Sequence, residues 1–374
     1  MVAMVHESLR LEIGGSKLPE VYASLLALEV ELDEELAGML RFSLALELNP
    51  DGSWTFLDDA QLVPWQTVKV SGGPQDATEP LFSGYITHLR PDFADGLDQC
   101  RLEVWAMDAS ILLDRDDVLK DWPNKKDSDI VRETFAKYGL GADVKDTDLI
   151  HDEKVSTIVQ RETDMQFLRR LALRNGYECF VDGDTGYFRP PAVAAASQPV
   201  LALQFGDRTN VTRLSLEVNA LAPSDVTMAQ LDVGAKSLQQ ADALPGLQRV
   251  LGARPPAGFL GPGMGPGTVV IANTVTTGRP EMAALCQGLH DRAQWWVTGE
   301  GEVDSGQYGA VLKPRATVVV KGIGRVHSGT YYVTRVTHEF TPDGYRQLFA
   351  VKRNALEPTG TEVFVDAGVL GAAL

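Results

Sequence analysis

Two runs near the N-terminus, LALEVEL over residues 26–32 and LRFSLALEL over residues 40–48, alternate apolar and polar residues. Alternation at every second residue is typical of a β-strand that has one buried and one exposed face. The second run is followed by Asn49-Pro50-Asp51-Gly52, which is a turn sequence. The two runs therefore predict antiparallel strands in a mainly β fold.

Further segments of the same kind lie on both sides of these two runs. They are residues 9–13, 68–70, 82–89 and 100–105. Each has one apolar face, so the simplest arrangement is an antiparallel sheet closed into a barrel or a sandwich. Residues 1–110 are predicted to form this first β domain.

The hydrophobic period changes after Trp122. A helix is predicted from Asp127 to Tyr138, and a second helix begins at Thr163, where Thr163-x-x-Gln166 forms a capping box. Gly176 is the C-terminal cap of that helix. A predicted hairpin over 177–188 completes a small inserted α/β domain at residues 111–197.

Strand patterns resume at residue 201 and are clearest over 211–218 and 226–233. A Pro/Gly-rich stretch over 253–267 reads as a loop, and a long helix is predicted from Glu281 to about Trp296. The last strands are predicted at residues 316–320, 331–340 and 347–351. Residues 198–357 thus form a second β domain with one long helix, and 358–374 form an apolar C-terminal tail.

Two segments of the chain resemble one another. In each, Ser-Gly (83–84 and 328–329) opens a long strand, Asp-Gly (95–96 and 343–344) follows it, and a partner strand returns. Both dipeptides are common in β proteins, so the similarity is either coincidental or marks two related β domains that flank the insert. In the second case a trimer would present six similar β units around one axis.

Composition narrows the possible functions. The 374 residues carry 34 Lys and Arg against 51 Asp and Glu, a formal charge of −17, which argues against general binding of nucleic acid. No apolar run is long enough for a membrane span, and residues 1–7 do not have the layout of a signal peptide. Cys100, Cys179 and Cys286 are expected to be reduced and buried.

No catalytic, cofactor or metal site is predicted. The six histidines, which are His6, His88, His151, His290, His327 and His338, match no metal or nucleophile motif. Two alternatives remain open. One is a peptidoglycan hydrolase that uses a carboxylate pair in a cleft, and the other is a carbohydrate-binding tail component that uses Trp295 and Trp296.

Several longer segments together resemble a known family. They are residues 122–131, 135–140, 160–172, 175–177, 322–324, 328–338 and 349–354. Over about residues 8–355 the chain resembles phage late control protein D, and it is similar to the N-terminal part of VgrG proteins. The Thr-Asp-x-x-Phe-Leu-x-x-Leu-Ala block at residues 163–172 is the most specific part of this resemblance.

The resemblance implies a structural, non-enzymatic baseplate hub of a contractile phage tail or contractile injection system. Two tube-like antiparallel β-barrel domains and the inserted α/β domain would form a homotrimer. This trimer would join a hexameric inner tube, or its tube-initiator protein, to a trimeric spike. The insert would point toward baseplate wedge proteins, with trimer and tube contacts on strands 82–89 and 331–340.

The chain ends soon after the second β domain, whereas VgrG continues into its spike, so we expect a separate spike protein. The apolar tail at 358–374 is expected to dock on that partner. The protein would be made in the bacterial cytoplasm and assembled into the baseplate.

Overall fold

The structure is a computed structural model. It describes residues 9–17, 19–57, 62–74, 77–154, 157–232, 234–259, 264–272, 274–362 and 364. His6 and most of the predicted tail lie outside these residues.

The strands, in chain order, alternate with few and mostly short helices. The strands are β1 (Leu9–Ile13), β2 (Ser16–Lys17), β3 (Leu25–Asp33), β4 (Met39–Ala45), β5 (Thr67–Gly72), β6 (Glu79–Asp92), β7 (Arg101–Asp108), β8 (Asp117–Trp122), β9 (Gly141–Val144), β10 (Ile158–Thr163), β11 (Glu178–Asp182), β12 (Thr185–Arg189), β13 (Gln198–Ala202), β14 (Val211–Val218), β15 (Ser224–Asp232), β16 (Ser237–Asp242), β17 (Gly267–Ile271), β18 (Val297–Asp304), β19 (Ala316–Lys321), β20 (Gly329–Thr341) and β21 (Gly344–Arg353). The α-helices are α1 (Pro19–Ser24), α2 (Asp127–Lys137), α3 (Asp164–Asn175), α4 (Pro256–Phe259), α5 (Arg279–Ala293), α6 (Ser305–Tyr308) and α7 (Gly324–His327).

One sheet of 13 strands contains the same six-strand unit twice. The first unit has the order β3-β4-β7-β6-β5-β1, and the second has the order β14-β18-β21-β20-β19-β13. If the six strands of a unit are numbered in chain order, both units have the sheet order 2-3-6-5-4-1. The units differ at one end, where β1 pairs antiparallel with β5 but β13 pairs parallel with β19. The prediction of a mainly β fold with an inserted α/β region is confirmed.

Each unit wraps around its own hydrophobic core. All six strands of the first unit contribute buried residues to one cluster, and a second cluster is formed mainly by the strands of the second unit. Within the described residues, the two end strands of a unit are not hydrogen-bonded to one another. Side-chain packing, rather than a closed ring of strand pairs, therefore holds each curved sheet around its core.

Irregularities in the two units occur at matching positions. The fifth strand of each unit has a bulge at a threonine, Thr87 in β6 and Thr334 in β20. The residue before each bulge accepts a backbone hydrogen bond from a residue with positive φ. Trp65 donates to Ile86, and Arg315 donates to Val333. The matching sequences are Tyr85-Ile86-Thr87 and Tyr332-Val333-Thr334. These motifs align the two units with one another. In that alignment the two Ser-Gly pairs do not coincide but are offset by two residues.

The α/β insert lies between the two units and has its own core. Its β8 pairs with β10, and β9, β11 and β12 form a small mixed sheet. Trp122 stacks on Phe167, with ring centroids 6.1 Å apart. Gly186 lies directly under Phe135, where a Cβ atom would come within 2.6 Å of the ring, so the packing requires glycine. The two predicted helices of this insert are α2 and α3.

A second inserted layer interrupts the second unit. Strands β15, β16 and β17 form a separate sheet with a core that includes α5. The prediction placed residue 267 at the end of a loop, but β17 begins there. The prediction also extended the long helix to Trp296, whereas α5 ends at Ala293 and β18 starts at Val297. Gly288 of α5 packs against the end of α3, where a Cβ atom would come within 2.7 Å of the Leu173 carbonyl oxygen.

Candidate assembly interface

The two β units are joined by one pair of strands. Strand β3 of the first unit pairs antiparallel with β20 of the second, with Val336 opposite Leu32 and His338 opposite Val30. Val30 is fully buried. We call this β3–β20 pairing the internal seam.

Two cations reinforce the internal seam. The Lys352 ammonium donates hydrogen bonds to both Glu34 carboxylate oxygens at 2.7 and 2.6 Å. The Arg315 guanidinium donates to the Asp33 and Glu34 carbonyl oxygens and lies 3.8 Å from the Phe180 ring centroid. Arg315 thereby connects both units and the insert. Burial lowers the pKa of Arg315, and the nearby carboxylates of Glu178 and Asp108 partly offset this lowering.

The outer edges at the two ends of this arrangement are open. Strand β6 pairs with β5 only up to Tyr85 and with β7 on its other side, so residues 87–92 have one edge without a strand partner in the described part of the chain. Among the strands that the structure describes, β14 pairs with β18 alone. Its inward-facing Leu214, Leu216 and Val218 are only half-buried. We call these two segments the open edges.

The structure separates the five histidines that it describes. His88 is exposed on β6, and His290 hydrogen-bonds to the Ser224 carbonyl oxygen at 3.0 Å. His338 is buried in the internal seam beside Tyr345, 2.8 Å from its hydroxyl. His327 accepts a hydrogen bond at its backbone carbonyl from the Tyr331 hydroxyl.

His151 belongs to a buried polar cluster between the two inserted layers. Its Nε2 lies 2.7 Å from Asp127 Oδ1, and its Nδ1 lies 3.7 Å from Glu281. Arg174 of α3 forms ion pairs with both of these carboxylates. Asn175 donates a hydrogen bond to Asp127 at 2.6 Å. His151 is therefore buried within a cluster that ties α2, α3 and α5 together.

The most specific sequence block, at residues 163–172, has a structural role. Thr163 caps α3 by accepting a hydrogen bond from the Gln166 backbone, as the capping box predicted. Asp164 accepts hydrogen bonds from Lys137, Tyr138 and Gln160 at 2.7–2.8 Å. Burial raises the pKa of Asp164, but these hydrogen bonds outweigh it and leave the pKa below its usual value. The block holds α3 against α2.

A cleft of about 520 Å³ lies between the two inserted layers and the internal seam. Glu34, Glu178 and Trp295 are among its lining residues. Burial raises the pKa of both carboxyl groups, against the opposing effects of Lys352 on Glu34 and of the Tyr332 hydroxyl on Glu178. Trp296 does not line the cleft: it is buried against Phe259 and is not available to stack on a sugar.

Three further observations concern groups named from the sequence. Cys100, Cys179 and Cys286 are free and buried, and burial raises the pKa of Cys179 to about 12. Among the residues that the structure describes, no cluster of three or more His, Cys, Asp or Glu side chains is arranged to hold a metal ion. No described helix has the length and apolarity needed to cross a bilayer.

The fold is shared with tail proteins of phages and related particles. The 43 kDa tail protein of prophage MuSo2 from Shewanella oneidensis is 15% identical, with a TM-score of 0.66 over 94% of this chain and 99% of that one. A tail protein from Neisseria meningitidis MC58 is also 15% identical, with a TM-score of 0.63 over 93% and 96%. A component of the Escherichia coli type VI secretion system is 14% identical, with a TM-score of 0.54 over 96% and 80%.

A family model gives the more particular assignment. The model described as the Alg8 N-terminal domain matches residues 8–342. The chain belongs to the Alg8 N-terminal domain family. The expected likeness thus holds at the level of the fold for phage tail proteins, while the matching family model is not that of late control protein D. No curated protein sequence gives a significant match.

Proposed function

We propose that this protein is a structural, non-enzymatic hub in the baseplate of a contractile phage tail or contractile injection system. Three copies would form a ring that joins a hexameric inner tube to a trimeric spike, with wedge proteins around it. The duplicated β unit carries this proposal. Because each chain contains the unit twice, three chains present six similar units to a six-fold tube and remain three-fold toward a spike.

Two further observations support the proposal. The solved structures that share the fold include phage tail proteins and a type VI secretion component. Within the described residues, strand edges are also left open at both ends of the duplicated sheet, and such edges readily pair with another chain. A ring of copies would satisfy these edges.

The mass of the purified protein in solution tests the proposal. Light scattering should give three chain masses, either for the protein alone or after addition of the spike protein. The chain mass is 40.6 kDa, so monomer and trimer are well separated. A protein that remains monomeric at all concentrations and with the spike contradicts the proposal.

The second candidate function is glycoside hydrolysis in the cleft beside Trp295. One observation favours it, namely that two mostly buried carboxyl groups of raised pKa, Glu34 and Glu178, line the same cleft. Against it, Lys352 binds both oxygens of Glu34, and Glu178 accepts a hydrogen bond from the Tyr332 hydroxyl at 2.5 Å. A lysis assay on purified cell walls should show no activity. Lysis that Glu178→Gln abolishes would establish the hydrolase instead.

A further inference from the structure

The internal seam provides a template for the contact between copies of this chain. In that seam, β20 contributes Arg335 to Phe340, the part of the strand that follows its bulge, and β3 contributes Leu28 to Asp33. In the repeat, residues 88–93 at the end of β6 correspond to residues 335–340 of β20. Residues 214–219 at the end of β14 correspond to residues 28–33 of β3. In the described chain, neither of these segments has a strand partner on its outer edge.

The equivalence is fixed residue by residue. Thr87 and Thr334 form matching bulges, so His88 corresponds to Arg335. The second strand of each unit also has a bulge, after Leu25 in β3 and after Val211 in β14. Leu28 therefore corresponds to Leu214.

We infer that β6 of one protomer pairs antiparallel with β14 of the next, in the register of the internal seam. Leu89 then lies opposite Val218, Arg90 opposite Glu217, and Pro91 opposite Leu216. This inference rests on the proposed function for the number of copies, but its register comes from the repeat within one chain. The contact is head-to-tail, so its repetition around a three-fold axis closes a ring.

The chemistry of the two edges fits this register. On the inner face, the half-buried Leu89 meets Val218, Pro91 meets Leu216, and Phe93, which is 54% exposed, lies opposite Leu214. On the outer face, exposed Arg90 meets exposed Glu217 with opposite charge. A slip of one residue would place Arg90 against an apolar side chain and turn the apolar face outward.

Pro91 makes the outer contact weaker than the internal seam. Its equivalent in β20 is His338, which has a backbone N–H, whereas proline has none. The seam between protomers therefore has one backbone donor fewer. An edge proline also limits pairing with unrelated strands.

A charge-swap series tests the register. Arg90→Glu and Glu217→Arg each place like charges opposite one another in all three seams of the ring. Each should raise the concentration for half-assembly about tenfold, because cross-strand charge pairs contribute up to about 1 kcal/mol each. The double variant Arg90→Glu/Glu217→Arg should return to within about twofold of the parent. Arg161→Glu, an exposed change on β10 of the insert, is the matched control and should have no effect.

A cysteine pair gives an independent measurement. Arg90→Cys with Glu217→Cys should form a covalent trimer on oxidation, whereas Arg90→Cys with Ser215→Cys should not. The native cysteines are buried, which keeps the background low. If the unsubstituted protein forms trimers but neither the charge swap nor the cysteine pair gives the expected result, the register is wrong and the hub proposal stands. A parent that stays monomeric overturns both.

Discussion

The internal seam and the open edges use the same positions of the repeat in opposite situations. In the internal seam, Leu28 and Val30 are buried because β20 covers the edge of β3. At the equivalent open edge, Leu214 and Leu216 keep the same alternation but remain half-exposed. We infer that the open apolar face of the second unit is covered when another copy of the chain pairs with it.

The two units also differ in what their connections carry. Between the second and third strands, the first unit has only residues 34–38, whereas the second has residues 219–296, which include β15 to β17 and α5. The strand pairing on both sides is the same in the two units. A loop can thus accept a whole layer without a change in the sheet, because loops lie at the surface and tolerate insertions.

The largest expected effect comes from placing a charge at equivalent positions of the two edges. Val30→Asp buries an unpaired carboxylate in the internal seam and should cost about 4 kcal/mol of unfolding free energy. Leu216→Asp places the same group at an open edge and should cost about 1 kcal/mol, while it abolishes assembly. Urea unfolding and light scattering measure the two effects. Equal losses of stability would remove the distinction between the edges.

A smaller effect is expected at the ion pair that reinforces the internal seam. Lys352→Met leaves the Glu34 carboxylate without its cation and should cost about 2 kcal/mol, since both side chains are mostly buried. The double variant Glu34→Gln/Lys352→Met should recover part of this loss. The control is Arg335→Met, which removes an exposed pair with Glu300 and should cost less than about 0.5 kcal/mol. If urea unfolding gave equal losses of stability for Lys352→Met and Arg335→Met, the Lys352–Glu34 pair would not reinforce the seam.

Local signals predicted the helices of the insert, and long-range packing explains what the sequence missed. The cap of α3 depends on Thr163 and Gln166, which are neighbours along the chain, so its start was predictable. Strand β18 was missed because its glycines resemble a loop. Gly299 and Gly301 are required by packing, since a Cβ atom would come within 2.5 Å of Leu216 or Phe349.

The candidate interface was harder to predict from the sequence than the fold. The sequence indicated strands 82–89 and 331–340 as contact regions, but an open edge is defined by the partner that a strand lacks. The pairing of β6 with β5 and β7 shows which edge is left free, and the pairing of β20 with β3 shows how the equivalent edge is covered. The Tyr-Ile/Val-Thr motif at each bulge is the signal that could have fixed the register of the repeat.

A dependence of stability on pH also distinguishes the two units. Burial, with a further contribution from Lys313, lowers the pKa of His338 to about 3, whereas the equivalent position of the first unit is Pro91. Below pH 6.5 the unfolded chain binds a proton that the folded chain does not. This histidine should therefore make stability fall by about 1.4 kcal/mol per pH unit between pH 6.5 and 3.

The variant His338→Gln removes that contribution, so its unfolding free energy should depend less on pH than that of the parent. At pH 7.5 the variant should be about 1 kcal/mol less stable, because the Tyr345 hydroxyl loses its imidazole partner. Urea unfolding at pH 4.5, 5.5, 6.5 and 7.5 should show nearly parallel curves above pH 6.5. Below it the curves should converge and cross at about pH 5.8, so that the variant is the more stable protein at pH 4.5. Curves that stay parallel down to pH 4.5 would mean that the seam accepts a proton at His338, and that the internal seam is more open than the contacts of Val30 and Tyr345 indicate.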